Sequence, residues 1–296
     1  MAFHVTHPDR VLFPEEPAEG TAEAITKGDV VAYYRRVAPV MVPHVRGRPL
    51  MLERHPGGIT GGGFYQKEAS DHFPEWIRRA EVPKEGGTVT HAMADDEDSL
   101  VYLANQGTLT FHAWLSPAAR IYHPDRLVFD LDPPAGAFDV VRAAARRLAD
   151  ILDGLGLVPF VKATGSRGLH VVTPLDGDAG FDETRTFARE VAALLVAGDP
   201  ERLTTEVRKA SRGGRVYVDV LRNGYAQTVV APYSLRARPG APVAVPLDWD
   251  ELGRRLEPDR YTITNVFRRL GRKADPWQDM AAQARPLKPL GRRLAS

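Results

Sequence analysis

The sequence predicts an α+β fold, with helices packed on one face of a sheet, and three observations carry that expectation. From residue 127 to residue 221, apolar segments follow the order strand, helix, strand, strand, helix, strand, which suits a ferredoxin-like or RRM-like sheet. The two helical segments, residues 138–155 and 181–197, repeat apolar side chains at helical spacing. The chain has 296 residues, 43% of them hydrophobic, enough to bury one large core or two small ones.

The elements follow in order. The stretch up to about Gly28 is turn-rich (HPDR, then PEEPAEGTAEA) and reads as surface loop. Residues 29–45 carry Val30, Tyr33, Tyr34, Val37, Met41 and Val45 at roughly helical spacing. Short extended pieces at 50–54 and 64–67 flank a glycine cluster at 57–63, residues 99–106 read as a short helix, and 108–115 alternate as a strand. Residues 127–131 form a strand stopped by Pro133-Pro134. Residues 158–162 and 169–173 are β-branched strands joined by a turn at 164–168, and strands at 216–221 and 228–230 flank the turn dipeptide Asn223-Gly224. Beyond about Arg236 the chain is rich in proline, with short helices expected near 250–256 and 265–270. We expect a single domain over residues 1–296, with an N-terminal part at 1–107, a core at 108–236 and a C-terminal part at 237–296.

Charge is nearly balanced, with 39 basic against 38 acidic residues, so bulk attraction to polyanions is not the driving feature. The basic residues are skewed, since only seven of the 39 are lysine; arginine's planar fork suits phosphate and carboxylate, and a compositional bias of the genome that also raises Gly and Pro accounts for the skew equally well. A strip holding Arg202, Arg208, Lys209, Arg212, Arg215 and Arg222 points to a local polyanion site. The acidic run at 95–98 reads as a solvated loop or helix start. With no cysteine the chain has no disulfide and no thiolate metal site, which fits a reducing compartment. The N-terminus lacks the apolar region of a secretory signal, and no apolar run approaches the ~18 residues of a membrane span. We expect a cytoplasmic protein without membrane contact.

Asp130 and Asp132 interrupt an otherwise apolar strand and, two residues apart, share one of its faces. Like charges that close repel unless a cation lies between them, and hard divalent ions take oxygen ligands. Alone, the pair also reads as a helix cap at Asp132 with a lone polar residue at Asp130. Leu127, Val128, Phe129 and Leu131 weigh against that, because unpaired carboxylates in a buried strand are costly. Asp219 repeats the anomaly in a second strand, either as the partner of Arg215 or Arg222 or as the third ligand of a two-metal phosphoryl-transfer site. The turn at 164–168 sets Thr164, Ser166 and Arg167 on a tight glycine bend, the make-up of an anion nest, with His170 opening the next strand. A plain hairpin with a core histidine is the other reading. The turn is not a P-loop, since the G-K-[ST] ending and the following helix are missing. Together, the acids, the turn and the basic strip describe a nucleoside triphosphate with divalent metal.

VFDLDPP, ATGSRGLHVVTPL and VYVDVLRNGYAQTVVAPYSLRAR resemble, in order and spacing, the three motifs of archaeo-eukaryotic primase-type polymerases. More narrowly, they resemble the polymerase domain of bacterial DNA ligase D, the repair enzyme of non-homologous end joining. The likeness extends to ITKGDVVAYY, GFYQKEA, LVYLANQGTLTFHAWLSP and DPW at 275–277, and so covers nearly the whole chain. It implies a primase-polymerase fold with an RRM-like catalytic sheet. Asp130, Asp132 and Asp219 match the catalytic acids that bind two divalent ions, Mn2+ or Mg2+. Thr164, Arg167 and His170 match the motif that binds the phosphates of an NTP or dNTP, with Ser166 in the same turn, and His112, Arg222 and Arg236 match residues facing that nucleotide. Arg10 and Lys27 match basic residues that hold the 5′-phosphate across a gap, and Phe64 matches an aromatic that stacks on DNA.

Taken alone, His112 also reads as a core histidine, Arg10 and Lys27 as loop charges, and Phe64 with Tyr65 as core aromatics. Three departures stand out: Arg10 where lysine is usual, Thr164 where serine is usual, and the longer loop AEGTAEA. The implied activity is template-directed nucleotidyl transfer that fills gaps and extends ends during double-strand break repair, with ribonucleotides preferred and manganese supporting it well. Implied partners are Ku and a separate ATP-dependent ligase at the nucleoid. No lysine lies in a K-x-D-G segment, so no ligase activity is expected of this chain. The competing readings are a non-catalytic scaffold at DNA ends and a metal-dependent phosphoesterase.

Overall fold

The structure is a computed structural model that describes residues 4–15 and 23–287. The AEGTAEA loop lies, but for its last two residues, outside them. The chain folds as two compact units, one of residues 1–114, 228–245 and 261–273, the other of residues 115–227, 246–260 and 274–296.

The second unit bears out the α+β expectation. Its sheet runs in the spatial order Leu203–Thr204, Val216–Asp219, Arg126–Asp132, Leu169–Pro174, Phe160–Ala163, Pro246–Leu247. The inner four strands are antiparallel neighbours and, with helices Phe138–Gly154 and Phe181–Ala197 between them in sequence, reproduce the RRM-like arrangement. Strand Arg126–Asp132 sits inside the sheet, which explains its apolar run: Leu127, Phe129 and Leu131 are fully buried on one face. The helices bury matching stripes, Val141, Ala145, Leu148 and Leu152 on the first and Ala188, Val191, Ala192 and Leu195 on the second. The DPW segment packs here too, with Trp277 Nε1 donating to the Val161 carbonyl at 3.2 Å.

In the first unit, Lys27–Val45 is a helix capped by Thr26, whose hydroxyl accepts from the Asp29 amide while the Asp29 carboxylate accepts from the Thr26 amide. It starts two residues earlier than the apolar spacing alone suggests, because this capping box precedes the first buried valine. The tyrosines of this helix anchor it: Tyr33 Oη donates to the Tyr233 carbonyl at 2.7 Å and Tyr34 Oη to that of Leu109. A four-stranded sheet in the order Thr228–Val230, Thr108–Trp114, Leu50–Arg54, Phe64–Gln66 completes the unit. The hairpin Arg79–Lys84 with Gly87–Ala92 is an addition to the sequence reading. Among the described residues, no helix is long and apolar enough to cross a membrane.

Two local devices fix the strand that carries Asp130 and Asp132. Asn223, fully buried, donates from Nδ2 to the Val128 carbonyl at 2.7 Å and accepts from the Val128 amide at 2.8 Å, so a side chain stands in for a missing strand neighbour. Gly168 lies against the other edge, where a Cβ would fall 2.0 Å from the Leu131 carbonyl oxygen. Asn223→Ala strands a buried amide and a buried carbonyl on Val128, so unfolding in denaturant should show a loss of about 3 kcal/mol. A loss near zero would mean that water takes over both bonds.

Candidate active site

Strand register builds the centre of the site. Asp130 lies directly opposite Asp219 on one neighbouring strand and His170 on the other, and His170 in turn lies opposite Lys162. Residues paired across a sheet project to the same face, so two acids, a histidine and a lysine form one row. Asp132, two residues further along, joins that face opposite Tyr217. His170 Nε2 lies 3.6 Å from Asp130 Oδ2, and Arg222 Nε lies 3.9 Å from Asp219 Oδ2. Asp219 also accepts from the Leu221 amide at 2.8 Å and from Tyr217 Oη at 3.3 Å.

The two facing acids are pushed apart electrostatically. Burial raises the Asp219 carboxyl above its ordinary value, and the charge on Asp130 adds to that rise despite the Leu221 amide and Arg222. Burial works the same way on Asp130, but His170, Arg222 and Lys162 outweigh it and hold that carboxyl below its ordinary value. Asp130 is therefore the firm anion of the pair, and Asp219 is the one whose charge wants a further cation.

Asp132 is held differently. Arg167 Nη2 donates to its Oδ1 at 3.1 Å and Arg212 Nη1 to its Oδ2 at 3.4 Å, while the Arg212 guanidinium lies 3.9 Å over the Tyr217 ring. The donor set, three carboxylates on neighbouring strands of one face, fits hard divalent ions. Among the described residues, however, the three carboxylates whose oxygens all lie within 4.8 Å of one another are Asp248, Asp250 and Glu251, a different set. Two of those three form the capping box of a short 3-10 turn.

The turn after Phe160–Ala163 departs from an open anion nest. Thr164 Oγ1 donates to the Gly168 carbonyl at 3.0 Å, and the Gly165 amide donates to the Pro258 carbonyl at 3.1 Å, so these groups close the bend rather than face outward. Ser166 is half-buried and Arg167 exposed. Arg222 rides on the 3-10 turn Leu221–Asn223, whose last residue is the Asn223 clamp.

The remaining candidates lie in the first unit. His112, on Thr108–Trp114, has Nε2 3.4 Å from Glu53 Oε2 and meets the Tyr65 ring edge-on at 5.9 Å. Arg236 is half-buried, and its guanidinium acts on the same Glu53 carboxylate. Phe64 and Tyr65 are exposed, at 49% and 60%, so neither is core; Arg54 lies 5.4 Å over the Phe64 ring. The Lys27 amide donates to the Arg10 carbonyl at 2.8 Å, which brings the two cations to one place. Lys27 Nζ donates to Thr6 Oγ1 at 2.6 Å, and burial, with the Arg10 charge, lowers its pKa.

Glu53 and Lys162 took no part in the sequence-based site, and Arg212 entered it only as one member of the basic strip. Lys162 carried a signal, a lysine inside a β-branched strand; Glu53 shows its relevance only through its partners.

A family model described as the LigD primase-polymerase domain matches residues 26–277. Similar proteins include the multifunctional non-homologous end joining protein LigD of Mycobacterium bovis, 36% identical over 95% of this chain and 37% of its own. Another is the LigD of Pseudomonas aeruginosa, 32% identical over 94% of this chain and 32% of its own. The chain thus spans about a third of the length of these relatives. The polymerase domain of Mycobacterium tuberculosis ligase D, solved in complex with DNA, superposes with a TM-score of 0.86 and 34% identity over 96% of this chain and 99% of that one.

The raised Asp219 carboxyl gives a signed prediction. The folded state holds this proton more tightly than the unfolded state, so its stabilising effect is present in acid and is lost as pH rises through the folded pKa. In chelator at neutral pH, Asp219→Asn should therefore melt higher than the parent, with the gap closing at a pH below the ordinary carboxylate range. A gap independent of pH would contradict this.

Proposed function

The chain belongs to the LigD primase-polymerase family, and from that membership we propose that it adds nucleotides to DNA ends and gaps under template direction, in bacterial end joining. The observation that carries the reading is the row Asp219, Asp130, His170 across three neighbouring strands, with Asp132 on the same face. Asp130 and Asp132 would hold both divalent ions, and Asp219 the one nearer the primer terminus. When bound, such ions lower the pKa of the primer 3′-hydroxyl and offset the charge leaving as pyrophosphate.

The protein's own groups do the rest. Asp130 is held as an anion by His170, and a cation bound beside Asp219 would offset the Asp130 charge that raises its carboxyl. Arg222, Arg167 and His170, with Ser166 in the turn, are suited to the charge of a triphosphate; Thr164 shapes that turn through its bond to the Gly168 carbonyl, and His112 and Arg236 match residues that face the nucleotide in the family. A metal held by Asp132 would share that carboxylate with Arg167 and Arg212. Arg10 and Lys27, adjacent through a backbone bond, are suited to one 5′-phosphate, and exposed Phe64 to stacking on a base. We further propose manganese as an effective metal, ribonucleotides as the favoured substrates, Ku and a separate ligase as partners, and the cytoplasmic nucleoid as the place of action.

Primer extension on a short-gapped duplex tests this. Asp130→Ala should lower template-matched addition by at least ~100-fold, as expected when several kcal/mol of metal-borne stabilisation goes. Addition unchanged by that substitution, or absent in wild type that still binds ends tightly, would leave the scaffold reading instead. Lys27→Ala should weaken binding to gaps bearing a 5′-phosphate by about tenfold and leave 5′-hydroxyl gaps untouched, the size of one charge-assisted hydrogen bond. Equal loss on both DNAs would contradict the assignment of Lys27 to the phosphate.

A further inference from the structure

The first unit holds a half-buried acid that neither the motifs nor the carboxylate row accounts for. Glu53 lies in Leu50–Arg54, directly opposite Thr110 on one neighbouring strand and Tyr65 on the other. His112, two residues beyond Thr110, projects to the same face. Its Nε2 lies 3.4 Å from Glu53 Oε2, and His55 Nε2 lies 3.4 Å from Oε1. The His112 and Glu53 side chains are 12% and 16% exposed, so their interaction is little screened by water. The surroundings are defined from every packed element: Thr110 and His112 on one strand, Tyr65 on the other, His55 on its own chain segment, Arg236 from the distant loop, and Tyr34 from the helix. Burial alone would raise the Glu53 carboxyl, but His112, Thr110 and Arg236 outweigh it and hold it at about 2. It is an anion at any working pH. An ionised carboxylate has no proton to give, so Nε2 of His112 is the donor.

His112 and Arg236 are both assigned to the triphosphate by the function proposed above, and both act on this one half-buried anion. We propose that Glu53 is a positioning residue for nucleotide binding, fixing the ring rotation of His112 and keeping it an imidazolium before the triphosphate arrives. This inference rests on the nucleotidyl-transfer reading. The alternative is a structural ion pair that serves only the sheet.

The experiment combines histidine NMR with nucleotide kinetics on the full chain. His112 resonances, identified by their loss in His112→Gln, are titrated with pH without nucleotide in wild type and in Glu53→Gln. The Glu53→Gln midpoint is expected to fall by on the order of one pH unit, because the favoured charge partner is gone. In primer extension with Mn2+ and ATP opposite a template thymine, the same variant should raise KM for the nucleotide about tenfold with kcat nearly unchanged. In a His112→Gln background, Glu53→Gln should add no further loss.

Glu53→Asp, which keeps the charge on a shorter arm, should fall between the two and serves if the glutamine variant does not fold. A midpoint that does not move overturns the proposal. So does an unchanged KM, or an equal loss with and without His112, which is what a structural pair gives. A wild type that adds no nucleotide sinks the nucleotidyl-transfer reading and this inference with it. Normal addition with an unmoved Glu53→Gln sinks this inference alone.

Discussion

Two carboxylates that repel each other, Asp130 and Asp219, are held face to face by the register of neighbouring strands, and much of the second unit can be understood as what keeps them there. Left alone, such a pair would splay or share a proton. The sheet instead supplies His170 and Lys162 along the same row and Arg222 beside it, which fixes the charge on Asp130 and leaves Asp219 short of a cation. Carboxylates gathered on one face of a sheet are the kind of donor set that suits a hard divalent ion.

Holding that register takes groups that do no chemistry. Asn223 replaces a strand neighbour for Val128, so the strand cannot slide without losing two buried hydrogen bonds. The same residue ends the 3-10 turn carrying Arg222, which ties the arginine to the strand of acids it serves. Gly168 allows the turn at 164–168 to pass against the Leu131 carbonyl at a distance no side chain permits. On the first unit a parallel logic holds: His112 and Arg236 gather around one half-buried anion, Glu53, with exposed Phe64 and Tyr65 at the adjacent strand.

The parts legible in the sequence were those with a local signature. The helices Phe138–Gly154 and Phe181–Ala197 announce themselves by apolar spacing, and the acid strand by carboxylates in an apolar run. That Asp219 faces Asp130 was an inference from chemistry, since nothing local sets the register of strands ninety residues apart. The hairpin Arg79–Lys84 with Gly87–Ala92 lies outside the sequence reading; Ala80 and Val82 alternate inward and glycines mark its turn, while Pro83 weakens the strand signal. Glu53 could not be singled out, since a lone glutamate in a short strand gains meaning only when His112 and Arg236 are packed around it. The turn at 164–168 misled in the other direction: its glycines suggested outward amides, but Thr164 and Pro258 take up part of the donor and acceptor capacity.

The most direct test of the account is a crystal structure with gapped DNA, a non-hydrolysable nucleoside triphosphate and Mn2+, read by anomalous scattering at the manganese edge. Manganese peaks bracketed by Asp130, Asp132 and Asp219, with the triphosphate against His170 and Arg222, are what the account predicts. Manganese found at Asp248, Asp250 and Glu251, with none at the three strand acids, would contradict it.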